Sequence, residues 1–125
     1  MILLLDAHTL LWWLADDPTL DAAARSSIAD PTSDVLVSAA TVWEIGIKRA
    51  LGKLEAPEGL VEAIDATGFV GLPITLADAD AAADLPGHHR DPFDRMLVAQ
   101  ASRLGAIVVT RDDAFRPYGV PLLTA

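Results

Sequence analysis

The 125-residue sequence contains no cysteine, which excludes disulfides, thiolate metal sites and cysteine nucleophiles. Positive charge is also scarce. Nine Lys and Arg face eighteen Asp and Glu, for a net charge of −9. Such a chain cannot hold nucleic acid by bulk charge, because that binding depends on basic side chains neutralising phosphates. Any nucleic-acid role must rest on a local basic patch, on bound cations, or on both. A long apolar run is missing too. The opening "MILLLDAHTLLWWLADD" lacks a positive leader and is broken by Asp6 and His8. It is therefore not expected to be a signal peptide, and no later run approaches the ~20 residues of a membrane span. The expected location is the cytoplasm, away from any membrane.

What is present is apolar and strongly patterned. The hydrophobic fraction of 52% excludes general disorder, and the length suits a single domain over residues 1–125. "ILLL", "DVLVS", "FVGLP", "AIVVT" and "VPLLT" read as short buried strands. Between them lie helical segments: "HTLLWWLA", "TLDAAARSSIAD" with Thr19 or Asp21 as its cap, and "AATVWEIGIKRALG" capped by Ser38 and ended by Gly52. "PEGLVEAIDATG" follows with Pro57 near its first turn, then "TLADADAAADLP", then "PFDRMLVAQASRLG", which stops at Gly105. Pro86 to Asp91 reads as the longest loop. Strands alternating with helices predict an α/β protein, a three-layer α/β/α sandwich around a mostly parallel sheet.

In such sheets ligands bind beyond the carboxyl ends of the strands, and acids gather there. Asp6 follows "ILLL", Glu44 lies two turns into the helix after "DVLVS", and Asp112 follows "AIVVT" after Arg111. Asp94 sits beside the apolar stripe of the helix leading into "AIVVT". Asp91, before Pro92, is the better cap, which leaves Asp94 to face inward or to favour the helix dipole. Each acid has a plainer reading: Glu44 can pair with Lys48, and Asp112 or Asp113 can start a turn. Four clustered carboxylates repel one another and raise each other's pKa, so the cluster points to hard divalent cations with oxygen ligands. His8 is read as structural, and His88 and His89 as solvated loop residues.

The segments "LLLDAHTLLWWLADDP", "VSAATVWEIGIKRALGKL", "HHRDPFDRMLVAQA" and "IVVTRDDAF" together resemble PIN-domain ribonucleases, and more closely the VapC toxins of toxin–antitoxin pairs. The resemblance implies that Asp6, Glu44 and Asp94 are the principal catalytic and metal-holding acids and Asp112 the more variable fourth. Asp113 is its competitor for that place, and Asp91 a nearby supporting acid. Thr110 matches a hydroxyl position that helps hold the site, and Phe115 a family aromatic. The implied cofactor is Mg²⁺ or Mn²⁺, one ion or two. The implied reaction is endonucleolytic hydrolysis of structured RNA (tRNA or ribosomal RNA), leaving a 5′-phosphate and a 3′-hydroxyl. The implied partners are a cognate antitoxin and a second copy of the chain. Lys48, Arg49, Arg90, Arg95 and Arg111 lie close in sequence to the acids and are candidates for holding RNA. The apolar "LLWWL", with adjacent Trp12 and Trp13, suggests an exposed aromatic interface.

Three other functions stay in view. A binding module of the same fold would keep the acids without turnover. A phosphoacceptor receiver would want a lysine at a late strand end, but Lys48 and Lys53 lie mid-chain. An aspartyl-phosphate phosphatase would want an acid two residues after Asp6, where His8 stands.

Overall fold

The computed structural model describes residues 1–125. Five strands, β1 (Ile2–Leu5), β2 (Asp34–Ser38), β3 (Val70–Leu72), β4 (Ile107–Thr110) and β5 (Leu122–Thr124), form one sheet in the order β3-β2-β1-β4-β5. Every pairing is parallel, with Leu4 opposite Leu36 on one side and Val108 on the other. Parallel neighbours need crossovers. These are α1 (Ala7–Leu14), α2 (Ala22–Ala29), α3 (Ala39–Ala50), α4 (Leu60–Thr67), α5 (Leu76–Asp84) and α6 (Pro92–Leu104), plus a 3-10 helix at Asp113–Tyr118 between β4 and β5.

The continuous apolar strands are explained by burial on both faces. Leu3 and Leu5 point into one core with Leu10, Ala24, Ile45, Ile64 and Val109. Leu4, between them, points into the other with Leu97, Val98, Ala101, Val108 and Phe115. Side chains alternate along a strand, so one run of leucines serves two helical layers, and each buried leucine contributes roughly 1.5–3 kcal/mol. The three-layer sandwich expected from the sequence is the one found.

Local chemistry sets most helix ends. Ser38 Oγ accepts the Ala40 N–H and caps α3, while Asp21 rather than Thr19 caps α2. Gly105, at φ 65°, takes the left-handed conformation that ends α6. Pro57 lies before its helix instead of in the first turn: α4 starts at Leu60, after Gly59 at φ 69°. The connection at 51–59 between α3 and α4 is longer than the Pro86–Asp91 loop.

One feature of the strand order positions the site. The chain leaves β1 to build β2 and β3 on one side, then returns to build β4 and β5 on the other. Adjacent strands β1 and β4 thus send their following segments in opposite directions, which opens a crevice at their carboxyl ends. Asp6 and Asp112 follow those two strands.

Candidate acidic site at the sheet switch point

Asp6 caps α1 as it leaves β1. Its Oδ1 accepts the Thr9 N–H at 3.0 Å, and its Oδ2 accepts the Thr110 hydroxyl at 2.5 Å. The Thr9 hydroxyl lies 2.7 Å from Asp6 Oδ1 and 2.9 Å from the Val109 carbonyl, so its single proton serves one of them at a time. Thr110 Oγ1 also accepts the Asp112 N–H at 3.0 Å. A single hydroxyl therefore ties the acid after β1 to the acid after β4.

Asp91 and Asp94 divide as expected. Asp91 Oδ1 accepts the N–H groups of Phe93 and Asp94 at 2.8 and 3.1 Å and caps α6 behind Pro92. Asp94 turns inward. Burial pushes its carboxyl up to about 7, and the charges of Asp91 and Glu44 add to the rise while His89 opposes it. Glu44, only 5% exposed, receives Lys48 Nζ at 2.5 Å. The plain i,i+4 pairing thus forms, as a part-buried contact in which Glu44 is covered and Lys48 about one-third exposed. That hydrogen bond, with the charges of Glu44, Asp91 and Asp94, holds the Lys48 ammonium above the ordinary lysine range.

Asp112 caps the 3-10 helix through Oδ1, which accepts the Ala114 N–H at 2.9 Å. Its Oδ2 lies 4.0 Å from His89 Nε2. Asp113 turns outward to Arg116 at 2.8 Å, so of the two adjacent acids Asp112 is the one that faces the site. Phe115 is fully buried below it.

Sequence reasoning missed His89. It is not a solvated loop residue: Nε2 lies 2.7 Å from Asp94 Oδ2. Ligand atoms of His89, Asp94 and Asp112 all fall within 4.8 Å of one another. Glu44 and Asp6 lie outside this tight trio, Glu44 beside Lys48 and Asp6 joined through Thr110. The residues fit a hard divalent cation. A carboxylate raised toward neutrality chiefly by burial, with neighbouring acids adding to the rise, is stabilised by a positive ion, and carboxylate oxygens are suitable donors. His88, by contrast, is exposed and edge-on to Tyr118 at 5.3 Å.

The basic residues sort differently from their sequence positions. Arg111 donates to the carbonyls of Thr19 and Ala125 and stacks over Trp12 at 4.5 Å. Arg95 is spent on backbone carbonyls of the segment before α6, among them Leu85 at 2.8 Å. Both keep their positive charge, but their N–H donors are already engaged by neutral carbonyls. Arg90 is exposed, and Arg49 makes only a 3.4 Å contact with Glu58. The aromatic reading shifts as well. Trp12 and Trp13 are both half-buried, Trp13 against Phe69, whereas Trp43 is 64% exposed and edge-on to Phe93 at 5.3 Å. Trp43 and Phe93 immediately precede Glu44 and Asp94. A cavity of about 560 Å³ lies apart from Asp94 and Asp112, between α1 and the 51–59 connection, and Leu11, Trp12, Leu54 and Pro57 line it. No helix is long and apolar enough to cross a membrane.

The sequence matches the PIN domain over residues 3–120. It is 30% identical to Ribonuclease VapC22 of Mycobacterium tuberculosis (strain ATCC 25618 / H37Rv), over 94% of this chain and 92% of that protein. The fold is similar to DNA-bound VapBC from Salmonella typhimurium, with a TM-score of 0.72 at 18% identity, covering 98% of this chain and 97% of that one. A toxin–antitoxin complex from Klebsiella pneumoniae is similar at a TM-score of 0.66 and 17% identity, covering 97% and 95%.

Proposed function

Because the chain belongs to the PIN domain family, we propose that it is a divalent-metal-dependent endoribonuclease, the toxin of a toxin–antitoxin pair, acting on structured RNA such as tRNA or ribosomal RNA. The observation that carries this reading is the gathering of Asp94 and Asp112, with Glu44 and Asp6 beside them, at the carboxyl ends of β1 and β4. The named relative, a ribonuclease, supports the same activity.

In this reading residues 1–125 act as one domain. Asp94 and Asp112 hold Mg²⁺ or Mn²⁺, one ion or two, with Glu44 and Asp6 completing the site directly or through water. A cation held there would neutralise charge on the phosphate and make a water easier to deprotonate. Thr110 keeps Asp6 and Asp112 in register. Glu44 or Asp94 would orient the attacking water and take its proton as the bond from phosphorus to the 3′-oxygen breaks, that oxygen leaving as a 3′-hydroxyl with a proton from solvent. No protein nucleophile is required. Arg90 offers positive charge for RNA, as does Arg49 on release from its exposed contact with Glu58, and Trp43 offers an aromatic face on which a base can stack. The cytoplasmic antitoxin covers the toxin with an apolar segment suited to the groove beside Trp12, and a second copy of the chain completes the assembly.

The test is 5′-end mapping of cellular RNA after brief induction of wild type and Asp94→Asn, with both proteins expressed. New 5′-phosphate ends at a few sites, present only with wild type, are the expected result. Identical ends from both proteins would move the site elsewhere, and no new ends from either would favour a binding module without turnover.

A further inference from the structure

His89 is delivered to the acids by a clamped segment rather than a loose loop. Its N–H donates to Tyr118 Oη at 2.9 Å, and Tyr118 in turn donates to the Pro86 carbonyl at 2.9 Å. The His89 carbonyl accepts Arg95 Nη1 at 3.2 Å, and the same nitrogen reaches the Pro86 carbonyl at 3.0 Å, while Nη2 holds the Ala82 and Leu85 carbonyls at 3.0 and 2.8 Å. The imidazole stands edge-on to buried Phe115 at 6.3 Å and is 20% exposed. Folding has thus already met the ordering entropy of placing this ring, which is the condition for a group built into a site.

We propose that His89 is a nitrogen ligand of the divalent cation held with Asp94 and Asp112, so that the centre is a mixed nitrogen–oxygen site that prefers Mn²⁺ to Mg²⁺. The inference rests on the divalent-cation reading above, but not on RNA being the substrate. Two donors on one six-coordinate ion lie about 3 Å apart when adjacent and about 4.2 Å apart when opposite. Nε2 lies 4.0 Å from Asp112 Oδ2, within that range, and 2.7 Å from Asp94 Oδ2, a hydrogen-bond distance that opens by a few tenths of an ångström when both atoms take one ion. Imidazole is a borderline donor that transition-metal ions accept readily, whereas Mg²⁺ keeps to oxygen. The competing arrangement leaves the ring hydrogen-bonded to Asp94 outside the coordination sphere.

Pulsed electron paramagnetic resonance on tag-free protein loaded with Mn²⁺ separates the two. Wild type and His88→Gln are expected to show the ¹⁴N modulation of a directly bound imidazole, and His89→Gln to lose it. Calorimetry is expected to show Mn²⁺ affinity falling about tenfold in His89→Gln, while Mg²⁺ affinity changes by less than about twofold. If His89→Gln does not fold, ¹⁵N-histidine labelling of a variant carrying both His8→Gln and His88→Gln, in which His89 is the one histidine left, reads the same contact, because the modulation must then change to the ¹⁵N pattern. No nitrogen coupling in Mn²⁺-loaded wild type, or coupling that survives in folded His89→Gln, overturns the inference even if RNA is cut. Nitrogen coupling in a protein that cuts no RNA sustains the inference and overturns the ribonuclease reading. A wild type that takes up no Mn²⁺ overturns both.

Discussion

The Thr110 hydroxyl donates to Asp6 Oδ2 across 104 residues of sequence. The bond closes the crevice between β1 and β4, and because the same oxygen accepts the Asp112 N–H, it sets the spacing of two site acids at once. Thr110→Val keeps the shape and removes both roles. It is expected to cost about 1–2 kcal/mol of stability. It is also expected to slow RNA cleavage by about a hundredfold, as displaced catalytic groups do. Thr110→Ser, which keeps the hydroxyl, should restore most of the rate. Urea denaturation and single-turnover cleavage on the three proteins check this. Unchanged cleavage in Thr110→Val would show that Asp6 and Asp112 need no such tie.

Asp91 and Asp94 stand three residues apart with opposite duties, one accepting backbone N–H groups and the other buried beside His89. Asp91→Ala is expected to lose about 1 kcal/mol, the usual worth of an N-cap, with cleavage reduced less than about tenfold. Asp94→Asn should leave thermal stability near wild type in the absence of added metal. It should abolish both the rise in melting temperature that Mn²⁺ gives wild type and cleavage itself. Thermal melts with EDTA and with Mn²⁺ distinguish the pair, and a metal-dependent shift that persists in Asp94→Asn would remove Asp94 from the cation site.

Asp78 supplies a stability term far from the chemistry. Its carboxylate is almost fully buried and receives Arg103 Nε and Nη2 at 2.6 and 3.0 Å. This ion pair, with Thr75 bonds adding to it, lowers the Asp78 pKa to about 2. The folded value lies below the unfolded value near 3.9, so the unfolded chain binds the proton first as pH falls. The stabilisation is therefore complete above about pH 4 and disappears between about pH 4 and pH 2. Asp78→Asn is expected to cost about 1–3 kcal/mol at pH 7. Its deficit relative to wild type should shrink on acidification through that window. Parallel urea curves at pH 7 and pH 3 test it, and a deficit independent of pH would assign the loss to packing rather than charge.

The sequence by itself determined the elements and most of their ends. Continuous apolar runs specify strands buried on two faces, and Ser38, Asp91 and Gly105 stop helices through bonds that span only a few residues. Such signals are local, so they survive in one dimension. The split of Asp91 from Asp94 was legible for the same reason. The tertiary structure alone decided which groups meet. The strand order that opens the crevice, the contact of His89 with Asp94 and Asp112, and the outward turn of Asp113 all depend on how segments far apart in sequence stack. So do the consumption of Arg95 and Arg111 by backbone carbonyls and the exposure of Trp43 in place of Trp12 and Trp13. A histidine without ligand spacing becomes a candidate ligand only when Tyr118 and Arg95, met through the fold, fix the backbone that carries it.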